Sequence, residues 1–221
     1  MANIKNVAVV IAAVILVTAV TISFSSYVGE VEQMQQNRNV APEKIMGAPV
    51  LGSETADITI IEVGDYQCHM CKLWFEKTRP DIIENYIDTG KANLIFIDMP
   101  FLGRDSTKAS EATYCANDQG KYWEYHSKLF EYQQEIDDGW AKIERLSAIA
   151  FSLNLDMEEF NACLQDNHHY PQINFNKAKA VTDFGAKSTP TFVIINTSGD
   201  TQKIIGAQPY SSFEEVINSM L

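Results

Sequence analysis

Two cysteines separated by two residues, Cys68 and Cys71, stand where a strand passes directly into a helix. Residues 57–64 are β-branched and apolar and are bounded by turn-forming residues, which predicts a strand. Residues 69–88 place apolar side chains at helical spacing, and they predict a helix that is kinked at Pro80. The chain is thereby restricted to folds in which a pair of thiols opens a helix at the end of a strand.

The other elements complete an α/β pattern. Residues 93–98 predict a second strand, and strand, helix and strand of these lengths favour a right-handed parallel βαβ unit. Residues 106–184 have no strand pattern and divide into amphipathic segments near 106–117, 120–133, 141–152, 156–166 and 171–184. A strand hairpin and a last helix follow at 191–196, 201–205 and about 210–220. We therefore predict one sheet with helices on both faces and an all-helical insertion at about 104–185.

The start of a helix is a setting that activates a thiol. Unpaired backbone N–H groups and the positive end of the helix dipole stabilise a thiolate at Cys68. Such settings lower the pKa of a cysteine from about 8.5 to about 3.5–7.5. Cys71 lies one helical turn further on, so it can close a disulfide with Cys68 and resolve mixed disulfides formed there. The predicted chemistry is thiol–disulfide exchange, with Cys68 exchanging and Cys71 resolving.

Two other uses of a Cys-x-x-Cys pair fit the sequence less well. A zinc site needs two more ligands at ordered spacing, but there is no second such pair, and the adjacent His168 and His169 point apart. A purely structural bridge between residues three apart would constrain very little chain. We expect no metal and no cofactor at this site.

The first 29 residues predict a membrane anchor. Residues 6–29 contain no charged side chain, and residues 7–24 would span about 27 Å as a helix, close to the thickness of the bilayer hydrocarbon. A cleaved signal peptide is the alternative. The apolar run is longer than the usual signal-peptide core, however, and no Ala-x-Ala site follows it. The anchor is therefore the favoured interpretation.

Charges on either side of residues 6–29 predict the orientation of the chain. Lys5 precedes them and Glu30 and Glu32 follow, which places the remaining chain outside the cytoplasmic membrane. Residues 30–47 are rich in Gln, Asn and Glu and predict a flexible tether to a domain at 48–221. The whole chain has 29 acidic and 17 basic residues and a net charge of −12, which disfavours nucleic acid as a partner.

Four phrases of the outer domain are shared with a known family. They are Pro49-Val-Leu-Gly52, Gly64-Asp-Tyr-Gln-Cys68, Gly120-Lys-Tyr-Trp-Glu-Tyr-His126 with Leu129-Phe130, and Ser188-Thr-Pro-Thr-Phe192. They span about residues 48–220, and the chain resembles the DsbA-like thioredoxin-fold disulfide oxidoreductases, membrane-anchored or secreted, of bacteria and archaea. The resemblance implies a thioredoxin fold and disulfide exchange with cysteine-containing translocated proteins. It also implies reoxidation by a membrane quinone-linked or other thiol oxidase.

The resemblance also assigns roles near the cysteines. It implies a cis peptide bond at Thr189–Pro190 beside the disulfide, with the backbone of Thr189 offered to the substrate; an ordinary trans loop is the alternative. Family members usually carry proline where this chain has His69. A protonated His69 would stabilise the Cys68 thiolate, and otherwise it is a solvated residue at the helix start.

Glu62 lies in an apolar strand six residues before Cys68. If it is buried, desolvation raises its pKa and suits it to exchange protons with Cys71. Strand alternation could instead point Glu62 to solvent. The thioredoxin fold often has an acid at this offset.

A second pair of cysteines lies 48 residues apart, with each member on a predicted helix. In an oxidising compartment Cys115 and Cys163 predict a structural disulfide, whereas buried free thiols are the alternative. We expect His126 to be a packed helix residue. The predicted function is oxidation of translocated proteins, and the alternatives are a reductase or isomerase of the same fold or a redox-inert binding module.

Overall fold

A computed structural model describes residues 49–221, in which five strands form one mixed sheet. The strands are β1 (Leu51–Gly52), β2 (Ile58–Gly64), β3 (Ala92–Asp98), β4 (Thr191–Asn196) and β5 (Thr201–Ile205). Their spatial order is β1-β3-β2-β4-β5. Only the β2–β3 pair is parallel within the described part of the chain, and the other neighbours are antiparallel. β2 therefore lies at the centre of the sheet and ends beside the Cys68 turn.

The helices cover the two faces of this sheet. They are α1 (His69–Lys77), α2 (Arg79–Ile82), a π-helical turn (Ile83–Ile87), α3 (Ser106–Asn117), α4 (Tyr122–Tyr132), α5 (Ile143–Ser152), α6 (Met157–Gln165), α7 (Tyr170–Thr182) and α8 (Tyr210–Met220). Helices α3 to α7 lie between β3 and β4 in the chain, so the predicted α/β order with an all-helical insertion is confirmed.

The helical segment predicted at 69–88 with a kink at Pro80 is confirmed, but its break lies two residues earlier, at Thr78. Helix α1 ends there, with the Thr78 N–H donating to the Trp74 carbonyl oxygen at 2.9 Å. Helix α2 then begins with Pro80 in its first turn, the position where a residue without an N–H group fits a helix. The break turns the chain, and it places Arg79 beside Phe75 of α1.

Side chains of β2 alternate between two apolar layers. Ile58 and Ile60 pack in one buried cluster with Trp74 of α1 and Phe213 of α8. Ile61 and Val63 pack in another cluster with Ala180 of α7. Both faces of the central strand are therefore covered by helices, and any polar side chain on β2 is buried whichever face it takes.

No helix within residues 49–221 is long and apolar enough to cross a bilayer. The predicted anchor at 1–29 and the predicted tether at 30–47 lie outside the described residues.

Candidate active site

Cys68 is the N-cap residue of α1. Its backbone is extended, and its sulfur accepts a hydrogen bond from the Cys71 N–H at 3.3 Å. The turn from β2 is closed by the Cys68 N–H, which donates to the Asp65 carbonyl oxygen at 2.9 Å. Both cysteines are free thiols; Cys68 is 5% exposed and Cys71 is completely buried. The sulfur that reaches solvent is therefore the one that receives the helix N–H group.

The surroundings of Cys68 favour its thiolate and lower its pKa to about 6. A hydrogen bond from the Cys71 thiol is the largest cause, followed by the Thr189 side chain and the backbone N–H groups of Cys71 and Met70. Partial burial acts in the opposite direction and is outweighed. At neutral pH Cys68 is therefore mainly the nucleophilic thiolate.

Cys71 behaves in the opposite way, because its pKa is raised well above the ordinary value. Burial is the first cause, and the charges of Cys68 and Glu62 add to it. Two thiols three residues apart thus differ in protonation at neutral pH. Such a division between neighbouring groups is typical of an acid–base or nucleophilic site.

The Thr189–Pro190 peptide bond is cis, the geometry that the family resemblance implies. The Thr189 carbonyl oxygen lies 3.4 Å from Cys68 Sγ, within hydrogen-bonding range of the thiol. Pro190 is buried directly before β4, while Thr189 is half-buried. This loop therefore lies against the exchanging sulfur and leaves the backbone of Thr189 beside it.

Glu62 is buried, with only 1% of its surface exposed. It shares the face of β2 that Trp74 and Phe213 cover, so alternation does not lead it to solvent. Burial raises the pKa of Glu62, the Arg79 charge lowers it by less and the Cys68 charge adds a smaller increase, so that the resulting pKa is about 8. A carboxyl group with this pKa near a buried thiol can both give and take a proton close to neutral pH.

Three polar residues that sequence reasoning missed hold the turn before Cys68 in place. Asp65 accepts hydrogen bonds from the N–H groups of Gln67, Phe101 and Leu102 at 2.9, 2.9 and 3.0 Å. The Gln67 side chain accepts from the Asp137 N–H at 2.7 Å and donates to Ser106 Oγ at 3.2 Å. The Gln133 side chain donates to the Tyr66 and Cys68 carbonyl oxygens. Asp65 and Gln67 lie inside a recognised phrase, but nothing local in the sequence indicates Gln133.

The two histidines singled out from the sequence differ in burial. His69 is exposed, and the groups that lower the Cys68 pKa do not include it. His126 is completely buried in α4 and hydrogen-bonds through Nδ1 to the Tyr66 hydroxyl at 2.9 Å. Exposed apolar side chains lie at Met70, in the first turn of α1, and at Phe101, in the loop after β3 whose N–H group donates to Asp65.

Cys115 of α3 and Cys163 of α6 form a disulfide, with their Cα atoms 5.8 Å apart. The possible ligand atoms of Cys115, Cys163 and His169 lie within 4.8 Å of one another. The two sulfurs are bonded to each other, however, so neither is a thiolate that could hold a metal ion. The pair ties two helices of the insertion together.

Comparisons with known proteins agree with this geometry. A family model described as thioredoxin matches residues 44–219. Disulfide bond formation protein D of Bacillus subtilis is 34% identical over 128 residues, which cover 52% of this chain and 58% of that protein. The chain thus spans little more than half the length of the curated relatives it matches first.

Two crystal structures are similar over most of the described residues. The oxidised BdbD of Bacillus subtilis superimposes with a TM-score of 0.71 at 27% identity, covering 80% of this chain and 94% of that one. Alpha-DsbA1 of Wolbachia pipientis gives a TM-score of 0.69 at 28% identity, with 79% and 91% covered.

Proposed function

This chain belongs to the thioredoxin family, and on that premise we propose that it is a thiol–disulfide oxidoreductase that oxidises the cysteines of translocated proteins. The observation that carries the proposal is the opposed protonation of two neighbouring thiols. The pKa of Cys68 is lowered to about 6, and that of Cys71 is raised well above its usual value. Two cysteines that served only for packing, or that were redox-inert, would not need opposite shifts in their pKa values.

The proposed reaction is a sequence of two exchanges at Cys68. A thiolate of the client attacks Cys68 Sγ in the Cys68–Cys71 disulfide, and Cys71 leaves as a thiolate that takes a proton from Glu62. A second client thiolate then attacks the client sulfur of the mixed disulfide, and Cys68 leaves as a thiolate. The client loses two electrons and gains a disulfide, while the enzyme becomes the dithiol.

The loop at Thr189–Pro190 supports the binding half of this proposal. The Thr189 carbonyl oxygen is 3.4 Å from Cys68 Sγ, so an extended client segment bonded to Cys68 would pass beside it. Backbone groups are common to all clients. Hydrogen bonds to Thr189 would therefore orient a client cysteine without selecting its sequence.

The direction of exchange follows from the Cys68 thiolate. A group that stabilises this thiolate stabilises the dithiol form, so it makes the disulfide the stronger oxidant. A reductase or isomerase of the same fold is the second candidate, because His69 stands where the family usually has proline and the redox potential of the family therefore does not transfer to this chain. An oxidase also requires a partner that removes the electrons, which we propose is a quinone-linked or other thiol oxidase of the membrane.

Equilibration of the purified domain with glutathione buffers tests the direction. We expect a potential for the Cys68–Cys71 pair well above the roughly −270 mV of thioredoxin. His69→Ala should make the pair less oxidising if a charged imidazole assists the thiolate. A wild-type potential at or below that of thioredoxin would contradict the oxidase proposal and support the reductase. If the Cys68–Cys71 pair did not equilibrate with glutathione at all, the redox-inert binding module would be favoured.

The location proposed for this activity is the outer face of the cytoplasmic membrane, with residues 1–29 as anchor and 30–47 as tether to the domain at 48–221. The uncharged run at 6–29 supports this arrangement. Fractionation of cells that express the full chain should leave the protein with the membranes at high salt, with its N-terminus intact. Recovery in the soluble fraction with a new N-terminus near Ser26 would identify a cleaved signal peptide instead.

A further inference from the structure

Four side chains with the donor atoms that zinc prefers meet in the insertion, where α3, α6 and α7 come together. They are Cys115 of α3, Asp118 directly after α3, Cys163 of α6 and His169 directly before α7. The two sulfurs and a ring nitrogen of His169 lie within 4.8 Å of one another. Thiolate, imidazole and carboxylate groups are the protein ligands of Zn²⁺. These four residues, the insertion cluster, therefore contain a complete ligand set for a tetrahedral zinc ion.

Asp118 brings a carboxylate close to two of the other donors. Its Oδ2 atom lies 2.8 Å from His169 Nε2 and 3.7 Å from Cys163 Sγ. Zinc–ligand bonds of about 2.0–2.3 Å in a tetrahedron place neighbouring donor atoms about 3.3–3.8 Å apart. The distance to Cys163 already has this length, and the distance to His169 has to increase only slightly. Asp118 is therefore placed as the fourth ligand.

His169 is held in the orientation that binding of a metal ion through Nε2 requires. Its Nδ1 atom lies 3.0 Å from Gln172 Oε1, which is an acceptor, so Nδ1 carries a proton and donates it. Nε2, the atom that faces Asp118, is then the nitrogen that can bind a metal ion. Histidines that bind metal ions almost always donate their other ring N–H to an oxygen acceptor or a water molecule. The insertion cluster thus has an outer hydrogen bond as well as four ligands.

The insertion cluster is closed at its base and open on one side. Cys115 is only 1% exposed, whereas the side chains of His169 and Asp118 are 13% and 34% exposed. An ion from solvent can therefore reach the sulfurs past the carboxylate of Asp118. A site of this kind combines a shielded position for the thiolates with an entry path for the ion.

The Cys115–Cys163 disulfide prevents this binding as long as it is intact, because its sulfurs are not thiolates. A dithiol reductant removes the obstacle. It donates two electrons and two protons, becomes a disulfide itself and leaves Cys115 and Cys163 as thiols. Zn²⁺ then displaces the two thiol protons, because cysteine binds zinc as the thiolate. The two Cα atoms are 5.8 Å apart, so rotation of the side chains is enough to separate the sulfurs around an ion.

We propose that the insertion cluster is a redox-controlled Zn²⁺ site, in which a bound ion replaces the Cys115–Cys163 disulfide when that bond is reduced. The ion joins α3 to α6, as the disulfide does, and it adds α7 through His169. The helices of the insertion thereby stay connected in both redox states. This inference goes beyond the proposed function and needs neither the exchange at Cys68 nor its direction.

Zinc titration of the purified full chain tests the proposal. The variant Cys68→Ser/Cys71→Ser removes the other pair of thiols and is the reference protein for every measurement. It is reduced with tris(2-carboxyethyl)phosphine and titrated with ZnCl₂ in competition with a chromogenic chelator. We expect one Zn²⁺ per reduced chain with a Kd below about 1 μM, and no such binding after reoxidation. Zn²⁺ should also raise the Tm of the reduced protein and leave that of the oxidised protein unchanged.

Two adjacent histidines provide a matched pair of variants. His169→Gln removes a ligand and should weaken Zn²⁺ binding by about 100-fold or more. His168→Gln changes an exposed ring that is not in the cluster, and it should leave the affinity unchanged. Asp118→Asn should weaken binding by about 10-fold or more, and Cys163→Ser should abolish it. Co²⁺ in place of Zn²⁺ should give the thiolate-to-metal absorption of a tetrahedral site, in the reduced protein alone.

Three results would overturn the inference. They are a Kd above about 10 μM for the reduced reference protein, equal affinity in its reduced and oxidised forms, and an affinity that His169→Gln leaves unchanged. If reduction unfolds the insertion, recovery of helical circular dichroism on addition of Zn²⁺, but not of Mg²⁺, replaces the Tm as the measurement. The titration uses a protein without Cys68 and Cys71, so its outcome is separate from that of the glutathione equilibrium that tests the oxidase.

Discussion

On the proposed mechanism, Cys71→Ser should convert the protein into a trap for its proposed clients, whereas Cys68→Ser should abolish exchange. Cys68 is the sulfur with the lowered pKa and the solvent contact, so only Cys68 can form the mixed disulfide efficiently. Cys71 is completely buried and can act only on a sulfur already bonded to Cys68. Removing Cys71 therefore removes the intramolecular attack that would release the partner.

Non-reducing gels of cells that express each variant distinguish these outcomes. Cys71→Ser should give high-molecular-weight bands that disappear on reduction, and Cys68→Ser should give none. In the purified protein, Cys68→Ser should lower the rate of disulfide exchange by about 10³-fold or more. The double variant Cys68→Ser/Cys71→Ser provides the background.

Equal trapping by the two single variants would reverse this assignment of roles. It would mean that Cys71 reaches partners directly, which requires the start of α1 to open. Alkylation distinguishes that case from misfolding. In the native wild type the pKa of about 6 predicts that Cys68 loses reactivity as the pH falls through 6, while Cys71 is modified only after unfolding.

Most of the elements could be predicted because each has its own local pattern. The β-branched runs at Ile58–Gly64 and Thr191–Asn196 and the turn at Thr197–Asp200 are readable without any tertiary contact. β1 was not predicted, because a strand of only two residues, Leu51–Gly52, cannot show an alternation of apolar and polar side chains. Among the described strands its one neighbour is β3, which lies over 40 residues later in the chain.

The burial of Glu62 could not be decided from its own strand. Alternation distinguishes the two faces of a strand only when one face meets water. β2 is central and covered on both faces, so Glu62 follows Ile58 and Ile60 into the layer beneath α1 and α8. The acid at this offset was recognisable from the fold resemblance, but its environment depends on helices that lie far away in the sequence.

Arg79 and Gln133 were missed for the same physical reason. An arginine that follows a helical pattern in a sequence usually indicates the solvent-exposed end of that helix. Its half-buried position here results from the break at Thr78 and from Trp123, which belongs to the insertion 44 residues later. Gln133 reaches the Cys68 carbonyl oxygen from just after α4. The thiols could therefore be located from sequence, whereas the groups that set their chemistry required the fold.

The disulfide of the insertion is expected to contribute stability and no catalysis. Cys115 and Cys163 are 48 residues apart, and on the chain-entropy model closing such a loop stabilises the domain by ~4 kcal/mol. We expect Cys115→Ala/Cys163→Ala to lose about this much free energy of unfolding, with a fall in Tm of about 10 °C. Urea unfolding of the oxidised domains measures the difference. If the pH profile of Cys68 alkylation is the same in the double variant as in the wild type, the Cys115–Cys163 disulfide affects stability alone.

Each single variant provides a matched control, since it removes the same bond but adds only one alanine. If the bond itself is responsible, Cys115→Ala, Cys163→Ala and the double variant should lose similar free energies, because one bond is broken in all three. Additive losses would instead assign the effect to packing, in which Cys115 is the more buried of the two. A double variant as stable as the wild type would mean that the helical insertion holds α3 and α6 together by its apolar contacts alone.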